Sequence, residues 1–358
     1  MKKTSTPLWQ PTGSLHNLKL RAQILQTLRT FFAERQVLEV DTPLLSQATV
    51  TDVYLQSMEV QISNMHEITP ATPYATLQIG TCEGTQVGGV IPYTFLSNDA
   101  KTYYLQTSPE FAMKRLLAAG SGAIYQICKA FRQDELGRLH NPEFTMLEWY
   151  RPGFNHQQLM DEIAVLLNVC LGTLTTERSS YAEIFQRYLD IDPHTASPSQ
   201  LKKCALTLGM HEVPGIDVED KDIWLQRLLS DYIEPKLGFD APIFIYDFPA
   251  SQAALAKVRP GVPPLAERFE LYIKGIEIAN GYHELTDASE QARRFETDLA
   301  KRHTLGLSII NSDQRLLAAL KHGLPACAGV ALGVDRLIML AAHAESLEQV
   351  VSFTIDRA

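Results

Sequence analysis

The chain has 358 residues, 45% hydrophobic and 20% charged, with a net charge of −9. That is an ordinary globular composition, long enough for one large domain or two modest ones, and its acidic balance weighs against a broad nucleic-acid footprint. No apolar run reaches membrane-spanning length and the opening MKKTSTPLWQPTGSLHN lacks the apolar stretch of a signal peptide, so a soluble, cytoplasmic protein with no membrane partner is expected. The five cysteines (Cys82, Cys128, Cys170, Cys204, Cys327) form no CxxC pair, which points to reduced thiols and away from a disulfide framework or a zinc site.

Residues 1–17 are polar, with Pro7, Pro11 and Gly13, and read as a loose tail. Leu20, Ile24, Leu28 and Phe31 recur at helical spacing and predict an amphipathic helix over 18–35. The extended stretch VLEVDTPLLS follows, with Pro43. Residues 61–101, rich in Thr, Gly and Pro, predict a long hairpin or a loop insertion. TSPEFAMKRLLAAG opens like a helix, with Ser108 as N-cap, Pro109 at the first helical position and Glu110 in the first turn. AIYQICKAFR and EFTMLEWYRP predict an antiparallel hairpin across QDELGRLHNP. Residues 155–240 read as a mainly helical insertion, clearest at LMDEIAVLLNVCL and DIWLQRLLSDYI. APIFIYDF, RFELYIKGIEI and GYHELTD return to strand, and QARRFETDLAKRHTLG and QRLLAALKHG to helix. CAGVALGV is a small-residue strand, and DRLIMLAAHA a helix opened by an Asp-Arg pair. Strand hairpins separated by helical blocks predict an α+β fold, an antiparallel sheet flanked by helices.

Three clusters carry chemistry. Alternation along EFTMLEWYRP puts Phe144, Met146, Glu148 and Tyr150 on one strand face, an odd mixture for a core. A satisfied polar pair under a loop would also account for it. The partner strand ends in Phe131-Arg132, with His140 and Asn141 across the turn; arginine offers a bidentate fork for phosphate, although an arginine at a strand end is usually just solvated. In GIEIANGYHELTD, Glu277 and Glu284 flank an Asn-Gly pair read as a turn. They could hold a hard cation, or could simply be exposed acids of a hairpin. In GVALGVDRL, Gly329, Ala331 and Gly333 leave one strand face nearly bare for a flat ligand. Close helix packing explains the glycines equally well, but not Arg336.

Taken together, VLEVDTPLLS, FRQDELGRLHNPEFTMLEW and GVALGVDRL resemble the three signature motifs of class II aminoacyl-tRNA synthetases, in the right order. HNPEFTMLEWY, TSPE and NGYHELTDA are most similar to the lysyl subgroup, and the likeness runs from about residue 18 to the end. The resemblance implies a class II catalytic fold over 18–358, with ATP and Mg²⁺ as cofactors. Arg132 would bind the ATP α-phosphate and the substrate carboxylate. Phe144 would stack on adenine, with Arg336 on its other face near the γ-phosphate; Arg132 and Arg336 would thus be the catalytic pair. His140, Asn141, Ile278 and Gly333 would line the ATP pocket. Glu277 and Glu284 would hold Mg²⁺, Glu284 also standing near the substrate. Ser108, Glu110, Glu148, Tyr150 and Ala331 would receive the amino acid. Asp134 departs from the pattern, where the family usually has Glu, and that weakens its assignment to ATP.

Lysyl-tRNA synthetases carry an N-terminal β-barrel that reads the anticodon, and no such anticodon-binding domain is visible in this sequence. That layout, with WQP at 9–11, LEWYRP at 147–152 and the closing DRA, resembles the truncated paralogues called GenX, PoxA or EpmA. These attach (R)-β-lysine to a lysine of translation elongation factor P. The resemblance implies β-lysine or lysine as substrate, elongation factor P as protein partner, a homodimer built by the first motif, and no use of tRNA. A truncated lysyl-tRNA synthetase that charges tRNA would require a basic surface beside the site. An amidating enzyme of the asparagine synthetase kind would require an aspartate-sized pocket. A non-catalytic regulatory paralogue would have lost its ATP residues.

Overall fold

The structure, a computed structural model, describes residues 9–65, 96–133, 135–172, 175–211 and 220–358. The first helix, α1 (Leu15–Glu34), starts inside the segment read as a tail, because the Ser14 side chain accepts the Asn17 amide and caps it. It buries Ile24, Leu28, Phe31 and Phe32, one face at helical spacing.

The short strands β1 (Leu38–Glu39) and β2 (Leu45–Ser46) come from VLEVDTPLLS. Next come β3 (Glu59–Met65) and β4 (Leu96–Leu105), which pair antiparallel from Glu59↔Tyr104 to Met65↔Leu96. These form the base of the predicted hairpin; its residues 66–95 lie outside the described residues. Helix α2 (Glu110–Ala118) begins one position later than expected, with Pro109 as N-cap and the Ser108 hydroxyl accepting the Glu110 amide at 3.3 Å. β5 (Ile124–Phe131) and β6 (Glu143–Pro152) make the predicted hairpin.

Helix α3 (His156–Leu171) is closed by an Asn155/Gln158 capping box. The stretch 155–240 is not one insertion. Leu159, Met160, Ile163, Leu166 and Leu167 of α3 belong to the main core, and β7 (Glu177–Ser180), missed in the sequence, joins the main sheet beside β8 (Ile243–Pro249). Between β7 and β8, α4 (Tyr181–Leu189), α5 (Pro198–Thr207) and α6 (Lys221–Arg227) pack on Tyr181, Phe185, Leu201, Trp224 and Phe248, a second core. β9 (Val258–Arg259), β10 (Leu265–Ile273) and β11 (Ile276–His283) precede α7 (Ala288–Thr304) and α8 (Gln314–Gly323). β12 (Cys327–Gly333) and α9 (Val334–Ala341) complete the elements.

Strand order in the main sheet is β1-β5-β6-β12-β11-β10-β8-β7, with β9 on β10; β1–β5 and β7–β8 are parallel and the other pairs antiparallel. This is the expected α+β architecture, helices flanking a largely antiparallel sheet. One face buries Leu147, Trp149, Phe269, Val330 and Leu332 against α1, α3 and α9. The opposite face carries Glu148 and Tyr150 and opens towards α2. Asn280-Gly281 is not a turn: both residues sit inside β11, with Asn280 beside Glu270 and Ala331, and Gly281 beside Phe269 and Val330. The turn lies earlier, at Lys274 and Gly275, whose φ values of 52° and 72° suit a tight reversal. RFELYIKGIEI is therefore two strands.

Candidate active site

Two chain reversals bring the first charged groups together. Arg132 follows β5, its backbone N–H donating to Pro142 O at 3.0 Å across the loop. Its guanidinium lies 5.2 Å from the Phe144 ring centroid and 3.4 Å from Glu135 Oε1, and its Nε is buried with no partner among the described residues. Arg336 sits in the first turn of α9. That turn is fixed from below by buried Asp335, which accepts the Thr145 amide at 2.7 Å and pairs with Arg21 at 2.5 Å. Arg336 points the other way: it donates to Glu277 O at 2.7 Å and to His140 Nε2 at 2.8 Å. Burial and the Arg336 charge both push the His140 pKa below the usual histidine range, keeping Nε2 free to accept.

Other expectations on this side are modified. Asn141 is occupied by the protein itself, its amide donating to Glu143 O at 2.5 Å and its carbonyl accepting from Ile355 N at 3.2 Å. The Ile278 side chain is spent in the main core. Gly333 lies beneath the Arg336 stem, where a Cβ would make ordinary contact at 3.5 Å. Asp134 lies outside the described residues.

The amino-acid side is built by register. β6 and β12 pair Tyr150 with Gly329, Glu148 with Ala331 and Met146 with Gly333, while β11 brings Asn280 beside Ala331. The face is therefore not bare at Gly329: the Tyr150 ring and Glu284 fill the space a side chain would need. Tyr150 donates to Glu148 Oε1 at 2.7 Å, and Glu148 Oε2 and Asn280 Oδ1 are buried with no partner among the described residues. Burial and the neighbouring Glu110 raise the Glu148 pKa well above the carboxylate range, and burial pushes Glu284 to about 7 despite a lysine beside it. One lysine does not match all the carboxyl groups here, and an ammonium ligand would supply the missing cation.

The lysine is Lys114 on α2, unremarked in the sequence because it falls within an ordinary amphipathic helix. It lies 2.7 Å from Glu110 Oε1 and 2.6 Å from Glu284 Oε2. Ser108, by contrast, is half-buried and its hydroxyl is used at the start of α2.

Glu277 and Glu284 cannot share a metal ion. They stand at opposite ends of β11, seven residues and thus about 23 Å apart, whereas Mg²⁺ binds oxygen at about 2.1 Å. The misread turn had folded them together. The carboxylates beside Glu277 are Glu270, on the neighbouring strand, and Glu234. Tyr272 Oη lies 2.5 Å from Glu270 Oε2 and 3.0 Å from Glu234 Oε1. Burial, Glu270 and Glu277 together push Glu234 up to about 8. Glu270 is already paired with the buried Arg268, and the three carboxylates are not drawn together closely enough to clasp one ion between them, so a divalent cation here would rest on Glu277 and the phosphates it accompanies. Gly275, seen as a hairpin turn, was the signal that would have brought Glu270 beside Glu277.

A family model described as tRNA synthetases class II (D, K and N) matches residues 72–357. An elongation factor P–(R)-β-lysine ligase of Edwardsiella ictaluri is 49% identical over 350 residues, 98% of both chains. Proteins of the same name from Salmonella paratyphi B and Salmonella heidelberg are 48% identical over 358 residues, the full length of both.

Proposed function

The chain belongs to the class II tRNA synthetase family of the D, K and N group, and from that premise we propose that it joins (R)-β-lysine to a lysine of elongation factor P with ATP. The observation that supports the substrate class is the buried set Glu148, Tyr150 and Glu284 with half-buried Glu110 at its edge, which asks for more positive charge than Lys114 supplies. A pocket for aspartate would present cations instead.

The substrate carboxylate oxygen attacks the α-phosphorus of ATP, and the bond to pyrophosphate breaks. Arg132, its guanidinium between Glu135 and the Phe144 ring, and Arg336, held by the Glu277 carbonyl, neutralise charge that builds on the phosphates, with little reorganisation. Glu277, beside Arg336, would hold Mg²⁺, which when bound offsets phosphate charge. The ε-amine of the protein's lysine then attacks the acyl carbon, the bond to AMP breaks, and the ammonium proton leaves to solvent. Ordering two reactants this way replaces a bimolecular encounter by a unimolecular step.

Choice between isomers centres on Ala331, between Glu148 and Asn280. Lysyl-tRNA synthetases typically have glycine there. The methyl crowds the α-amino group of lysine, while the β-amino group, one carbon further along, avoids it. One methyl in a packed pocket gives about 10- to 200-fold discrimination. Ala331→Gly is therefore expected to lower the β-lysine to lysine ratio in ATP–pyrophosphate exchange by at least several-fold. An unchanged ratio would remove Ala331 as the discriminator.

The assembly is a two-fold dimer built on α1 and the segment after it, where Leu38, Leu44 and Leu45 are exposed on one copy. Light scattering at micromolar concentration should give the dimer mass; a monomer would exclude this arrangement. Exchange assays with both lysine isomers test the activation step itself.

A further inference from the structure

A lysine only 2% exposed is costly unless its charge is matched on the spot. Lys114 meets that condition through two elements at once. Glu110 lies one helical turn earlier on α2, and Glu284 lies just past β11. Burial alone would lower its pKa, but the two carboxylates outweigh burial and hold the ammonium well above the usual range. The charge is therefore permanent at any working pH.

The pocket then holds three carboxylates, Glu110, Glu148 and Glu284, against one ammonium. Two carboxyl groups remain for a ligand, whose ionisation an arriving ammonium restores, and Glu148 Oε2 has no partner among the described residues. We propose that Lys114 is a positioning residue for amino-acid activation: it fills the cation site between Glu110 and Glu284, so that two carboxyl groups are left over for the two amino groups of the substrate. The inference rests on the reading above that a diamino acid is activated. With this site occupied, the substrate's long arm is directed to the free oxygen of Glu148. A diamine cannot slide into the Glu110–Glu284 gap with its carboxylate drawn away from ATP.

The test is ATP–pyrophosphate exchange with β-lysine, run first on the unaltered protein. No exchange with either lysine isomer there would overturn the proposed function rather than this inference. Given exchange, Lys114→Met should raise the amino-acid KM at least about thirtyfold, as expected for removing one partner of a buried pair, and leave the ATP KM within twofold. A purely structural role would move both. Lys114→Ala provides a second arm, since propylammonium has the length of the atoms removed. Added propylammonium should lower the amino-acid KM of this variant at least tenfold, and should raise its Tm if the chain is unstable alone; 1-propanol should do neither. Equal rescue by 1-propanol, failure of propylammonium to rescue, or an amino-acid KM within threefold of wild type for Lys114→Met would overturn the proposal.

Discussion

Arg336→Ala should reduce ATP–pyrophosphate exchange by about a hundredfold while leaving the fold intact. The side chain is mostly covered, yet its contacts are to the loop and to β11, not to the core. Removing it costs no core packing, because α9 is anchored independently by Asp335 through Thr145 and Arg21. What is lost is a cation placed where phosphate charge develops, worth about 3 kcal/mol in preorganised sites of this kind. The loss should appear in kcat as well as in the ATP KM, because the charge it meets is larger in the transition state than in the ground state. Exchange within threefold of wild type would show that the nucleotide site has been placed wrongly.

Gly329→Ala should be at least as damaging to activity, by a different route. The added methyl would run into the Tyr150 ring and stand 2.5 Å from Glu284 Oε1. Neither neighbour can yield cheaply. Tyr150 is buried and tied to Glu148, and Glu284 is tied to Lys114. Overpacking of this kind costs about 1–3 kcal/mol of stability, which thermal unfolding would register as a modest fall in Tm. The catalytic cost is larger, since displacing either group by about 1 Å in a pocket built to hold an ammonium costs about a hundredfold. Exchange should therefore fall at least about a hundredfold in a protein that still folds. Near-normal activity would mean that Tyr150 and Glu284 do not form the amino-acid pocket.

The two sides of the site were unequally legible in the sequence. Period-two alternation alone placed Glu148 and Tyr150 on one face of β6, and Gly329, Ala331 and Gly333 on the matching face of β12, because that pattern survives whatever the neighbouring strands do. The Asp-Arg opening of α9 was equally visible, and its division of labour, Asp335 inward and Arg336 outward, follows from adjacent positions on a helix. Asn280-Gly281 misled for the opposite reason. It has turn chemistry, but β10 and β12 hydrogen-bond to it from both sides, and that tertiary pairing outweighs the local preference. That reading drew Glu277 and Glu284 together and passed over Glu270. The Glu110–Lys114 pair was readable as an i,i+4 contact, but the burial of Lys114 against Glu284, and the neighbours of Glu234, come from distant segments and were out of reach by any local rule. β7 was missed because four residues are too few for periodicity to register, although the Ser180/Glu183 capping box that follows it was readable.

The central claim is that the activated amino acid passes to a protein. The most direct measurement supplies the purified chain with ATP, Mg²⁺ and radiolabelled (R)-β-lysine, and offers elongation factor P and lysine tRNA in the same reaction. Label should appear on elongation factor P, at one lysine located by peptide mass spectrometry, and the tRNA should remain unlabelled. Label on the tRNA, or adenylate formation with none on elongation factor P, would contradict the account.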